Sequence, residues 1–450
     1  MKNLSLLLLL SMVVACVPFT LKPSAITPDI QDHEKQLQIN PQNPGSLAAL
    51  GERYFQIFEE TKLAKHRDTS IKYNQAYLDL YPQHPGVKRN LYLAYFHKVS
   101  HNFKPSDANK LIAIFNSVNT VNAKSLNPPS IAIYNYKVKH NPKVEELIEL
   151  LKQAIVEQPA SAFAYLKLAR AYGSRGQEKM AQAILMYGYQ NNPDNLYLQV
   201  SLGDMYMARG KEKVCKGDQY HDLDKALTFY NQVLKARPES ARLRAEMAEA
   251  YFFNGRFRLA LAQYKKSQEF SKNNMNLLDI GIVYSILGKN DKAMDYFQQA
   301  GRGYLAVKDI AIQHFSLGQW DGSLTAFQQG FSLQDEHFYS RLLQSYAMSF
   351  NDENNPGIEK LKQFVSNHEL SDWEQKLYKL RLKQISSDVL MENAEDACQR
   401  TEGYFYQALQ ARLEGNKDLY QQLLDKTLQE KIYPYTEYKT AKNLVRQALL

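Results

Sequence analysis

Gly176, Gly210, Gly255, Gly288 and Gly318 follow one another at intervals of 34, 45, 33 and 30 residues, and this period constrains the fold more than any other feature of the chain. Seven residues before each glycine stands a small residue: Ala169, Gly203, Ala248, Gly281 and Ala311. Three beyond that comes Tyr172, Tyr206, Tyr251, Tyr284 and, as a departure in the last copy, His314. After the glycines a second set repeats, with Ala226 and Tyr230, Ala260 and Tyr264, and Ala293 and Phe297 each four apart. Residues at spacings of three and four share one face of a helix, so each repeat reads as two helices. The small residue lets the two approach closely, and the ring fills the space beside it. Glycine ends the first helix, and Pro159, Pro193 and Pro238 close the second. One such pair cannot bury its apolar stripe alone, so neighbours must stack. Most of the 30 tyrosines are then packing residues. The 45-residue interval inserts eleven extra residues, near 211–221, between the two helices of one repeat.

This pattern resembles the tetratricopeptide (TPR) repeat, in which Leu-Gly-x-x-Tyr opens and Ala-x-x-x-Phe follows before a proline. The resemblance implies an all-α, TPR-like solenoid, a right-handed superhelix of antiparallel helix pairs whose first helices line a concave groove. Carried onto this chain, it implies groove positions at Phe163, Lys167, Arg170, Tyr197, Asp204, Met207, Glu246, Glu249, Phe252, Phe253, Met275, Asp279, Lys308 and Asp309, with Arg242 and Phe315 beside them. Such a surface suits an amphipathic helix or extended segment carrying basic residues, held through aromatic anchors. The competing reading packs several of these side chains against the adjacent repeat. The paired Lys and Asn of chaperone-binding TPR domains are absent.

Around the regular array at 145–335 the pattern loosens. Leu50-Gly51 with Tyr54 matches a repeat opening, and Tyr81-Pro82 closes a long second helix. The 41–144 region reads as irregular helical repeats, with helices over Leu91–Val99, Ala108–Val118 and Ile131–Val138. Degenerate repeats follow over 336–450: a pair at 336–350 and 356–368, one or two helices over Trp373–Met391, and a last pair at Glu402–Leu413 and Lys417–Lys431. No strand-period segment stands out.

At the other end, Met1-Lys2-Asn3 precedes an apolar run from Leu4 to Val14, too short to span a bilayer and the right length for an export signal. Val13-Val14-Ala15-Cys16 resembles the lipobox of bacterial lipoproteins. The resemblance implies a signal peptide at 1–15, lipidation (palmitate included) at Cys16, and a tether over 16–40. Val17 after the cysteine favours the outer membrane, facing the periplasm. Ordinary cleavage near Ala15 is the alternative.

Charge divides unevenly. Residues 61–144 hold 13 Lys or Arg against 3 Asp or Glu, while the whole chain is only +8. That block suits anionic lipid heads, lipopolysaccharide or an acidic protein, or is a solvated face. The balance is too mild to imply nucleic acid. His97 and His101 have zinc-compatible spacing but no third ligand, and Asp218, His221, Asp222 and Asp224 read as a helix start, so no metal and no cofactor are expected. No nucleophile elbow, phosphate loop or dinucleotide fingerprint appears, which argues against an enzyme. Cys215 and Cys398 stand about five repeats apart in a stacked rod, beyond the ~7 Å a disulfide allows, so they are expected unpaired unless the solenoid curls shut.

A second resemblance lies near the end. Glu402, Tyr404-Phe405-Tyr406, Gly415 and Ile432-Tyr433-Pro434-Tyr435-Thr436-Glu437-Tyr438-Lys439-Thr440-Ala441 are similar to the C-terminal end of the new-lipoprotein-I group. Those are outer-membrane TPR lipoproteins that bring a protease or peptidoglycan hydrolases to their targets. The expectation is a lipid-anchored, non-catalytic scaffold of the bacterial envelope whose partners are envelope proteins bound in the groove, and the membrane through Cys16. Homo-oligomerisation is left open. The second reading is an accessory lipoprotein for assembly of a secretion, pilus or exopolysaccharide export machine.

Overall fold

The computed structural model describes residues 28–118, 126–140, 143–272, 274–333, 337–352, 354 and 357–448. The export-signal pattern and Cys16 lie outside the described residues. Among these, all regular structure is helical, and no helix is long and apolar enough to cross a membrane. The chain divides into two units, Met1–Asn192 and Pro193–Leu450.

The first unit holds α1 (Pro28–Ile39), α2 (Pro44–Thr61), α3 (Ala64–Leu80), α4 (Pro85–His101), α5 (Pro105–Ser117), α6 (Pro129–His140), α7 (Val144–Glu157), α8 (Ala162–Gly173) and α9 (Glu178–Asn191). Here proline begins helices. Pro44 and Pro85 stand in the first turn, where a missing N–H costs nothing, behind Asn43 and His84, whose side chains accept the amides of Ser46 and Val87. Gly51 lets α3 come so close that a Cβ there would lie 2.5 Å from Asn74 Oδ1. The core gathers Leu91, Tyr92, Val99, Leu111, Leu151 and Ala164 from four helices. The three helices expected between 87 and 140 are present as α4, α5 and α6.

The second unit opens with four hairpins: α10 (Leu196–Glu212) with α11 (Tyr220–Ala236), α12 (Ala241–Phe253) with α13 (Phe257–Phe270), α14 (Asn274–Ile286) with α15 (Asn290–Gln299), and α16 (Tyr304–Ser316) with α17 (Trp320–Leu333). Then come α18 (Phe338–Asn351), α19 (Ile358–Asn367), α20 (Asp372–Arg381), α21 (Ser387–Glu392), α22 (Ala397–Leu413), α23 (Lys417–Gln429) and α24 (Thr436–Ala448). The repeat chemistry is visible in the coordinates. A Cβ on Gly203 would meet Tyr230 at 2.6 Å, and one on Gly281 would meet Phe297 at 2.5 Å. Gly255 turns between helices with φ of 70°, outside the range most L-residues tolerate.

Gly210 departs from its expected part. It does not end a helix: α10 runs two residues past it, a 3₁₀ turn (Val214–Lys216) follows, and Gly217 takes the left-handed conformation instead. The insertion lengthened the helix, so the turn moved with it. Gly210 now serves close approach, since a Cβ there would strike Leu223. Arg209 and Lys213 both pair with the fully buried Asp222, which ties the inserted turn to α11.

The cysteines require a correction. Cys215 and Cys398 form a disulfide, with Cα atoms 4.9 Å apart across 183 residues of sequence. The second unit curls enough to bring the inserted turn against the start of α22, where Val214, Ala397, Cys398 and Ile432 share a buried cluster. A straight stack of repeats would hold them far apart. Counting repeats measures contour length and says nothing of curvature.

Candidate binding groove and its internal occupant

The first helices of the second unit's hairpins carry a row of charged and aromatic side chains. Asp204 accepts from Arg242 at 2.6 Å and from the Tyr230 hydroxyl at 3.0 Å. Lys211 pairs with Glu249 at 2.7 Å and lies over the Phe253 ring. Burial, then the nearby Asp204 and Glu249, raise the pKa of Glu246. Tyr197 is 62% exposed beneath the Arg237 guanidinium, and Met275 is half exposed.

Further along, the same face is covered by the chain itself. The α24 helix packs against α14 and α16, besides α22 and α23. Asn443 donates to Ser285 Oγ at 2.8 Å, and Ser285 in turn donates to Gln313. Arg446 donates to the carbonyl oxygens of Ile286 at 2.6 Å and Ser285 at 3.4 Å. These are C-terminal carbonyls of α14, groups that a helix leaves unsatisfied and that favour a cation. Gly288 permits this: its missing Cβ would stand 3.1 Å from the Arg446 guanidinium. Asp279 and Asp309 feel the charge of Lys439 here. Burial pushes Asp279 up to about 7, with Glu249 and Asp309 adding repulsion and Lys439 opposing it. Asp309 is likewise raised by burial, and burial lowers Lys439. The segment before α24 belongs to the same cover, since Tyr433 fills the space where a side chain on Gly255 would lie.

The groove positions inferred from the repeat therefore separate. Met207 and Phe252 are buried, as is Phe315, and correct the expectation of a partner-facing role: they are core residues. Asp279 and Asp309 face the chain's own helix. Lys308 lines a neighbouring cleft with Glu437. Tyr197, Asp204, Glu246, Glu249, Phe253 and Met275 lie along α10, α12 and the start of α14. Phe163, Lys167 and Arg170 belong to the first unit, on α8, where Phe163 packs edge-on to Tyr134 with Lys167 over its ring. The face was inferred from single-helix position, which cannot see a helix arriving from 150 residues away. The one signal for α24 in the sequence was the run from Thr436 to Ala448, whose Tyr438, Ala441 and Leu444 fall at three-residue steps and are buried.

Elsewhere, His97 packs on Phe58 and Phe55 and is shifted down by burial, and His101 bonds the His97 carbonyl, so both are accounted for by packing and local bonding.

Each unit repeats one device, a helix hairpin closed over a glycine or alanine, with an aromatic or polar side chain opposite. The fold is all-α and TPR-like. No family model matches the chain, and no curated protein does. Among solved structures, a TPR protein from Parabacteroides merdae is 17% identical, covering 56% of this chain and 97% of that one, with a TM-score of 0.43. PilF of Pseudomonas aeruginosa is 14% identical over 49% of this chain and 96% of its own, at 0.37. PilW, described as a widely conserved type IV pilus biogenesis factor, is 14% identical over 64% and 97%, at 0.31. Stacked helix-hairpin repeats in general present extended surfaces that can bind other chains.

Proposed function

We propose that this chain is a lipid-anchored, non-catalytic adaptor of the bacterial envelope, acylated at Cys16 and holding periplasmic proteins such as cell-wall hydrolases or proteases on the faces of its repeats. The observation that carries the reading is the row of first-helix side chains on α10 and α12, led by the exposed Tyr197 and the Asp204–Arg242 pair, which α24 does not cover in the way it covers α14 and α16. An exposed aromatic ringed by charged side chains is the usual composition of an interaction hot spot. Two features support the location. The lipobox-like Val13-Val14-Ala15-Cys16 suits export and acylation, and a disulfide between Cys215 and Cys398 suits an oxidising compartment.

The test is affinity capture from detergent-solubilised membranes, comparing the native chain with Cys16→Ala and with Tyr197→Ala combined with Arg242→Glu. Loss of membrane association in the first, and loss of a shared set of envelope proteins in the second, are the expected results. Retention of Cys16→Ala in the membrane fraction would defeat the anchor, and a partner set untouched by the double substitution would defeat the surface.

A further inference from the structure

A cleft of about 710 Å³ opens in the second unit among α16, α18, the start of α24 and α22. Its lining includes Tyr304, Lys308, Tyr339, Glu402, Tyr435 and Glu437. Both glutamates are more than nine-tenths buried. Glu402 is held by donors on one oxygen only. Glu402 Oε2 accepts from Trp373 Nε1 at 2.7 Å and from the Tyr339 hydroxyl at 3.0 Å. Glu437 Oε1 accepts from the Tyr406 hydroxyl at 3.0 Å. Glu402 Oε1 has no hydrogen-bond partner among the described residues, whereas the Glu437 carboxylate also takes a bond from its own backbone N–H. No Lys or Arg forms an ion pair with either carboxylate within 4.0 Å among the described residues.

This arrangement is poor as structure alone. A carboxylate that serves only to receive Trp and Tyr donors is replaceable by an amide, which accepts as well and costs less to desolvate than a charge. Two carboxylates side by side add mutual repulsion to that cost. Buried carboxyl groups without an ion-pair partner, lining a cavity with aromatic walls, are instead the arrangement of a ligand site. We infer that the cleft binds an alkylammonium group, with Glu402 and Glu437 as its counter-charges and the Tyr339 and Tyr435 rings as walls. The ammonium comes either from a free diamine or polyamine or from a lysine side chain. The site is lined by α16, α18, α22 and the start of α24, and its proposed ligand does not depend on what the α10–α12 face holds.

The charges around the pair set its behaviour. Burial raises Glu437, opposed by its own backbone N–H, by Tyr406, and by Lys439 on α24 and Lys308 on α16, whereas Asp396 at the start of α22 adds to the rise of Glu402, and His337 at the start of α18 lines the cleft. Tyr339, Trp373 and Tyr406 supply the hydrogen bonds already described. Burial first, and then repulsion from Glu437, push Glu402 up to about 8. The empty pair therefore holds a proton at neutral pH and must release it when a cation enters.

Calorimetric titration of the full chain with cadaverine, and with a capped Gly-Lys-Gly peptide beside its Nε-acetyl form, tests the site. Saturable binding of cadaverine, the lysine peptide or both is expected, with proton release at pH 7 read from the buffer dependence of the heat. Cadaverine alone points to a free amine, and tighter binding of the peptide points to a protein lysine. Glu402→Gln and Glu437→Gln should each weaken binding about tenfold or more, without lowering Tm. Lys308→Gln, at the edge of the core, should tighten it a few-fold by removing a competing charge. Absence of saturable binding by either probe, equal binding of the acetylated peptide, or unchanged affinity in the Gln variants overturns the assignment.

Discussion

At Gly281 two opposing effects can be ranked by size. Replacing a mid-helix glycine with alanine ordinarily stabilises by about 1 kcal/mol. Here the new methyl would lie 2.5 Å from Phe297 Cε1 and 3.2 Å from the Ala293 carbonyl oxygen, so the hairpin must open. Overpacking of that kind costs about 1–3 kcal/mol, and it wins. Gly281→Ala should therefore lower Tm. At Gly173, where the nearest contact would be Ala181 Cβ at 4.0 Å, the same substitution should leave Tm unchanged or raise it. Thermal unfolding of the two variants side by side checks the claim, and an equal response would show that close approach is not what Gly281 provides. Both glycines look alike in sequence. Only the repeat phase, which puts Gly281 opposite Phe297, distinguishes them.

The α24 helix is the element whose role depends most on its surroundings. It is held by Arg446 on the α14 carbonyls, charge-assisted bonds worth about 1.5–3 kcal/mol each, and by the neutral bond of Asn443 to Ser285, worth about 1 kcal/mol. Arg446→Ala should loosen α24 selectively, so that amide exchange over 436–448 accelerates while α22 and α23 keep their protection. A pH effect belongs to the same interface. Asp279 is raised to about 7, against an ordinary value near 4, so the folded chain holds a proton that the unfolded chain has lost across that interval. Stability is then greatest below the ordinary value and falls as pH climbs through 7. Asp279→Asn should flatten the decline in Tm between pH 5 and 8 relative to the parent chain. An unchanged slope in the variant would show that Asp279 titrates normally. The hairpins before α24 were readable because their small-plus-aromatic code is local. The α24 contacts were not, because Lys439, Asn443 and Arg446 find partners 130–160 residues away, and polar residues on a short helix otherwise read as solvent-facing.

On the scale of the whole molecule, curvature within the second unit decides what the repeats accomplish. It brings Cys215 to Cys398 and closes a loop of 183 residues, for which the chain-entropy argument gives roughly 2–5 kcal/mol. Cys398→Ser, or mild reduction, should lower the melting temperature of the second unit by several degrees and leave that of Met1–Asn192 in place, which calorimetry of the full chain resolves. No shift on reduction would mean that packing around Val214 and Ile432 closes the loop without the covalent bond. The sequence by itself determined the all-α hairpin repeat, its phase, and the small and aromatic residues that pack it, since those depend on spacings of three, four and about thirty-four. Tertiary structure alone decided that the cysteines pair, that part of the groove is filled from within, and that Glu402 and Glu437 share one cleft. Each of these results from a small rotation per repeat summed over many repeats, and a quantity that accumulates along the stack leaves no mark on any single one of them.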